Sequence, residues 1–308
     1  MTVADTPTAL PKHSWWVALK RTFREFMDDK LLDWAAALTY YSILSLFPAV
    51  VVLMSIVGLV GESVTKPLID NLQQLAPGQA RDMLVDVVRE LEGSAAVAGP
   101  VALIGLLGAV WASSGYIGGF IRASNAIYEI EEGRPIWKTI PLRIALTLAM
   151  VVLLALTILG VVLTGGIADR IGSMLGLGEQ FVTVWDIAKW PVLAALVSLA
   201  IAILYWASPN VRHPGFRWLT PGSVLAVLVW VVGSFGFAVY VANFASYNKV
   251  YGSLAGVVVF LVWLWLSNLA VLFGAEFDSE LTRERQIEEG HPENVEPFLE
   301  PRDTRAID

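Results

Sequence analysis

The feature that most constrains this chain is the run Trp34 to Gly61, which begins WAAALTYYSILSLFPAVVVLMSIVG and carries no charge between Asp33 and Glu62. At about 1.5 Å per residue it exceeds the roughly 30 Å of a bilayer's hydrocarbon core, so it reads as a transmembrane helix. Ala35, Ala36 and Ala37 allow another backbone to approach, and Pro48 removes one internal hydrogen bond that a neighbour must replace. At about 100° per residue, Tyr41, Ser42, Ser45, Pro48 and Ser55 share one arc. Either that arc faces protein or a polar cavity, or its hydroxyls bond only the backbone around a proline kink.

Five more stretches are long and apolar enough to cross a bilayer, and 56% hydrophobic residues with a mean hydropathy of +0.62 would leave a soluble domain with large exposed apolar patches. The expected fold is all-α: a polytopic membrane protein, a six-transmembrane-helix bundle with an N-terminal interfacial amphipathic helix. The spans are placed at about 34–61, 94–121, 141–167, 187–207, 218–244 and 252–275, with an outer helical loop over 62–93 in which Leu84, Val87, Val88 and Leu91 repeat at helical spacing. The membrane domain covers 14–281, preceded by a disordered tail over 1–13 and followed by an acidic cytoplasmic tail over 282–308, expected to be mostly disordered beyond its first turns. The first apolar run is too long for the core of a cleavable signal, so it is expected to be retained and to direct insertion.

Between Ser14 and Lys30, Trp15, Trp16, Leu19, Phe23, Phe26 and Met27 recur at helical spacing, while Lys20, Arg21 and Arg24 occupy other faces. This suits a helix in the headgroup layer, cations towards anionic lipid; the alternative is packing on the protein's own cytoplasmic side. Lys and Arg number fifteen on the segments assigned inside against six outside, which places both termini in the cytoplasm. The net charge of −7 does not suggest a nucleic-acid partner, and the absence of cysteine excludes disulfides and thiolate chemistry.

The second span ends WASSGYIGGFIRASNAIYE, where Gly115 and Gly119 form a GxxxG pair for close helix contact; Gly252 and Gly256 form another before the last span. Packing within the bundle alone explains the first pair, and a homo-oligomer is left open as a partner state. Arg122, Asn125, Tyr128, Arg134, Trp137 and Lys138 then bring cations, an amide and an aromatic hydroxyl to the membrane surface. That set suits a phosphate headgroup, since Arg offers a planar fork, although ordinary positive-inside anchoring also accounts for it. In the last span, Asn268 and Glu276 lie on nearly one face and should turn inward. Asn268 is either part of a polar groove or interhelical glue.

AAALTYYSILSLFP, WASSGYIGGFIRASNAIYE leading to Arg134-Pro135-Trp137, and VYGSLAGVVVFLVWLWLSNLAVLFGAEFDSEL together resemble the YihY/BrkB family of bacterial inner-membrane proteins, once labelled ribonuclease BN. The resemblance runs from Trp16 to Leu281 and implies six transmembrane helices in a bacterial envelope. Serum resistance and envelope-lipid export are associated with members.

Hydrolysis of RNA needs clustered carboxylates or histidines, or a His pair; only His13, His213 and His291 are present, all outside the spans. No enzymatic activity, metal or cofactor is therefore expected. A proton-coupled pump is weakened by spans without a mid-membrane relay acid. The reading is a protein of the bacterial inner (plasma) membrane that binds or translocates an anionic lipid or glycolipid. Arg122, Tyr128 and Arg134 would hold the headgroup beside a groove lined by Tyr41, Ser45 and Asn268. The alternative is a non-catalytic envelope scaffold.

Overall fold

The computed structural model describes residues 10–60, 98–162, 179–213, 219–243 and 254–307. These fold as seven helices: α1 (Lys12–Asp28), α2 (Leu31–Val60), α3 (Ala98–Ile127), α4 (Ile136–Val162), α5 (Glu179–Ala207), α6 (Pro221–Asn243) and α7 (Leu254–Glu288). Four segments among the described residues are long and apolar enough to cross a membrane, Ile136–Thr157, Ile187–Ala207, Pro221–Asn243 and Gly256–Glu288. Large apolar side chains on them point outward, among them Trp190, Val232 and Phe235. Such a surface is stable in lipid rather than in water. Helices α2 and α3 occupy the positions expected for the first two spans, whereas the outer loop over 62–93 and residues 1–9 of the N-terminal tail lie outside the described residues.

The chain divides into two compact units, Tyr40–Tyr116 and the combination of Met1–Thr39 with Ile117–Asp308. In the first, the Tyr41 ring lies over Gly115, with its Cδ1 3.5 Å from where a Cβ would stand. Ser45 Oγ donates to the Ser42 carbonyl at 2.8 Å, a bond back into its own helix.

In the second unit α7 is the spine. Ser14 Oγ donates to Glu288 at 2.8 Å, Arg21 pairs with Glu284 at 2.9 Å, and Asn268 Nδ2 donates to Thr39 Oγ1 at 3.1 Å. The partner's number falls as the chain advances, so α1 and the start of α2 run antiparallel along α7. Beneath α1 a core of Leu10, Ala18, Phe277 and Leu281 is closed by Trp15 and Leu19. Each large apolar side chain so buried contributes roughly 1.5–3 kcal/mol. Helix α7 continues well beyond the expected end at 275 because Glu276, Glu280, Glu284 and Glu288, four residues apart, share a face, two of them meeting Arg21 and Glu288 meeting Ser14. Arg21, expected to face anionic lipid, is thus held inside the protein.

Helix α6 is fixed to α7 at its first turn. Thr220 and Ser223 cap each other reciprocally, at 3.1 and 3.0 Å, Pro221 occupies the first helical position, and Asp278 Oδ1 accepts the Gly222 N–H at 2.7 Å. Gly222 and Gly274 face each other here, and a Cβ on either would strike the other's carbonyl. Of the expected pair at Gly252 and Gly256, Gly256 is exposed with nothing within 4 Å of a built Cβ, and Gly252 lies outside the described residues. Gly119 is buried, and its neighbour Gly118 lies against the Arg143 guanidinium.

The C-terminal segment departs from the expectation of a solvated tail. Arg302 N–H donates to the Asn210 carbonyl at 2.7 Å and Arg212 N–H to Glu300 at 2.9 Å, flanking an antiparallel bridge between Val211 and Pro301. Ala306 N–H donates to the Gly133 carbonyl at 2.9 Å. The segment therefore straps the α3–α4 connection to the chain that follows α5. Gly133 is required there, because a Cβ would run into the Asp303 carbonyl.

Candidate functional site

Two places in the larger unit carry the chemistry. One is a polar node at the ends of α3 and α5, where the chain must turn and bury backbone carbonyls that no helix satisfies. Arg134, only 6% exposed, satisfies them. Its Nη2 donates to the Ser208 carbonyl at 2.7 Å and to Glu132 Oε2 at 2.6 Å, its Nε to Glu132 Oε1 at 2.7 Å and its Nη1 to the Ala207 carbonyl at 3.4 Å. Asn125 Nδ2 donates to the same Glu132 at 3.0 Å, and Asn125 Oδ1 accepts the Asn210 N–H at 2.8 Å. Burial opposes ionisation of Glu132, yet the Arg134 guanidinium and Asn125 hold its pKa below the usual carboxylate range. The Asn210 side chain donates to the Asp303 carbonyl at 2.8 Å, and Lys138 and Arg305 both reach the Asp303 carboxylate.

Arg134 therefore presents no fork to a phosphate outside the protein. Of the other residues expected at a headgroup site, Arg122 is exposed, and the Tyr128 ring meets His213 edge-on at 5.5 Å. Burial, with the Arg302 charge nearby, lowers the His213 pKa to about 4, so this imidazole is neutral at pH 7. Asn268 is buried against Thr39. Tyr41 and Ser45 belong to the unit Tyr40–Tyr116.

The second place is a cleft of about 310 Å³ between α1, α6 and α7, lined chiefly by Phe23, Phe26, Trp230, Gly233, Ser234 and Phe273. Its floor is aromatic: the Phe23 ring meets Phe273 tilted and the Phe26 ring meets it edge-on, at 5.1 and 5.9 Å between ring centres. Its few polar atoms are bonded locally, Trp230 Nε1 to Ser267 at 2.9 Å and Trp263 Nε1 to Ser234 at 3.2 Å. A cleft of this size and lining accepts an apolar chain and offers little to a polar ligand. Along the outer face of α1, Lys20 and Arg24 are exposed with Trp16.

The cleft and the acidic stripe on α7 escaped the sequence reading for different reasons. The stripe at 276, 280, 284 and 288 was legible as four acids at helical spacing, whereas the cleft unites residues more than two hundred positions apart. Asn210 and Asp303 gave no signal, since their pairing depends on where the chain end lies.

The family model of virulence factor BrkB matches residues 22–297. A Bacillus subtilis protein named as ribonuclease-like, YfkH, is 26% identical over 274 residues, covering 89% of this chain and 98% of its own length. A UPF0761 membrane protein of Alteromonas mediterranea is 30% identical, covering 82% of this chain and 84% of its own length. One from Alkalilimnicola ehrlichii is 31% identical over 83% of this chain, which spans only 56% of that relative. No solved structure matches the chain. The chain is a membrane protein and belongs to the BrkB family.

Proposed function

We propose that this protein crosses the bacterial inner membrane six times with both termini in the cytoplasm, and that it binds or moves an anionic lipid or glycolipid. The observation that carries the reading is the aromatic cleft between α1, α6 and α7. An acyl chain leaving the bilayer loses no hydration on entering it, so binding depends on packing against the Phe and Trp faces. The headgroup position assigned to Arg134 is replaced by Lys20 and Arg24, because the Arg134 donors are engaged by Glu132 and two carbonyls whereas Lys20 and Arg24 are exposed on the helix that walls the cleft.

The test fills the cleft. A Cβ at Gly233 meets nothing within 4 Å, so Gly233→Leu adds volume without displacing backbone. Displacing a bound chain from about ten atom contacts, each contributing roughly 0.1–0.2 kcal/mol of dispersion, weakens binding roughly tenfold. Native mass spectrometry of the protein released from nanodiscs of anionic and zwitterionic lipid should show retained anionic lipid falling by that factor in the variant. Equal retention in both proteins, both folded, removes the cleft and shifts weight to a non-catalytic envelope scaffold.

The word ribonuclease in the name of YfkH is not carried over. His213 is set against Tyr128, and His291 against Phe298 at 4.9 Å, and neither arrangement supplies the acid–base pair that RNA cleavage requires. RNA cleavage that persists through purification and is abolished by one point substitution would contradict this.

A further inference from the structure

The C-terminal strap gathers cations and tryptophans at one end of α4 and α5, away from the aromatic cleft. The membrane-crossing segment of α4 starts at Ile136 and that of α5 ends at Ala207. Arg134, just before α4, donates to the Ala207 and Ser208 carbonyls, so the two ends lie on one side of the membrane. Trp137, 72% exposed, and Trp206, 39% exposed, mark these ends, at the depth where tryptophan meets lipid headgroups. Lys138 follows Trp137 directly, and its ammonium is 2.7 Å from the Asp303 carboxylate of the strap. Arg212, in the chain that follows α5, pairs with Glu300 of the strap at 3.3 Å. Arg302, between the two acids, lies over the Trp206 ring at 5.5 Å. Two cations at headgroup level are therefore held by acids of the protein itself, although the Lys138 and Arg212 side chains are 49% and 64% exposed.

We propose that Trp137, Lys138, Trp206 and Arg212 form a contact surface for the anionic headgroups of the surrounding bilayer, and that these headgroups draw the two cations from Asp303 and Glu300 and loosen the strap. An exposed ion pair is weak, because water and salt screen it. An anionic membrane attracts a nearby Lys or Arg about as strongly, so the charge of the lipid decides the contest. Glu300 and Asp303 are repelled by the same surface, which acts in the same direction. Asp303 keeps the Arg305 guanidinium at 2.7 Å when Lys138 leaves, since both belong to the strap. What loosens is the set of backbone bonds by which Arg302 grips the Asn210 carbonyl and Ala306 the Gly133 carbonyl. The α3–α4 connection is then joined to the chain after α5 by the buried bonds of Arg134 and Asn125 alone among those described here.

Hydrogen exchange of the full chain in nanodiscs tests this, and because it reads the strap rather than lipid held in the cleft, either reading can fail alone. In discs of phosphatidylcholine the amides of Arg302 and Ala306 should be protected. In discs that also contain phosphatidylglycerol, in the same buffer, their exchange should accelerate roughly tenfold, the weight of two exposed ion pairs, while the amides of α7 keep their rates. The double variant Lys138→Gln with Arg212→Gln should exchange fast already in phosphatidylcholine and gain nothing from phosphatidylglycerol. Equal exchange of the wild type in the two discs overturns the proposal without recourse to any variant. So does slower exchange in the anionic disc, or a lipid response that the double variant retains. Inorganic phosphate added to the phosphatidylcholine discs at matched ionic strength should change nothing; acceleration by phosphate would give the cations to a soluble anion and overturn the role of the bilayer.

Discussion

Arg134 shows why residue type alone leaves role open. A guanidinium near the membrane surface serves a phosphate equally well as it serves buried carbonyls, and the choice depends on which acceptors the fold brings within about 3 Å. Here those acceptors are Glu132, Ala207 and Ser208. Arg134→Ala should lower stability by about 3 kcal/mol, since it strands the carbonyls and an anionic partner that is itself partly buried. Arg134→Lys should recover part of that loss, because it keeps the charge without the fork. Chemical unfolding in detergent micelles measures both, and a loss of lipid binding from Arg134→Ala at unchanged stability would return this residue to the headgroup site.

At the scale of elements, the C-terminal segment is built into the protein. It supplies the Asp303 carbonyl to Asn210, the bridge at Pro301 and the Ala306 N–H to Gly133, all near a node of buried polar groups. A chain ending at Gly290 removes the N–H donors that meet the Asn210 Oδ1, the Asn210 carbonyl and the Gly133 carbonyl, each loss costing about 1–3 kcal/mol if the oxygen stays buried. The truncated protein should melt lower and be cleaved by protease between 207 and 213, sites resistant in the full chain. Unchanged melting and cleavage would show that the strap adds nothing to the node.

For the whole molecule, the charge distribution makes a prediction of topology that packing does not test. Fifteen Lys and Arg on the segments assigned inside against six outside should place residue 290 in the cytoplasm and residue 65 across the membrane. Because the chain has no cysteine, single cysteines introduced at these positions report sidedness without background. Labelling of residue 290 by an impermeant reagent in intact cells, or protection of residue 65, would invert or break the six-span arrangement.

The sequence by itself determined that the chain is helical and lives in a membrane, because long uncharged runs have one stable solution in hydrocarbon: a helix that satisfies its own backbone. It also indicated that Asn268 and Glu276 turn inward, since both sit on one face of an apolar helix, and both are buried. Only the tertiary structure decided which glycines touch, what Arg134 binds, and where the chain end lies. Gly222 and Gly274 are 52 positions apart and meet at the crossing of two helices, a geometry that no local spacing encodes. Asn210 and Asp303 meet because α7 returns the chain end to the turn after α5, and hydrogen bonds, being short-ranged, are assigned only once that return is made.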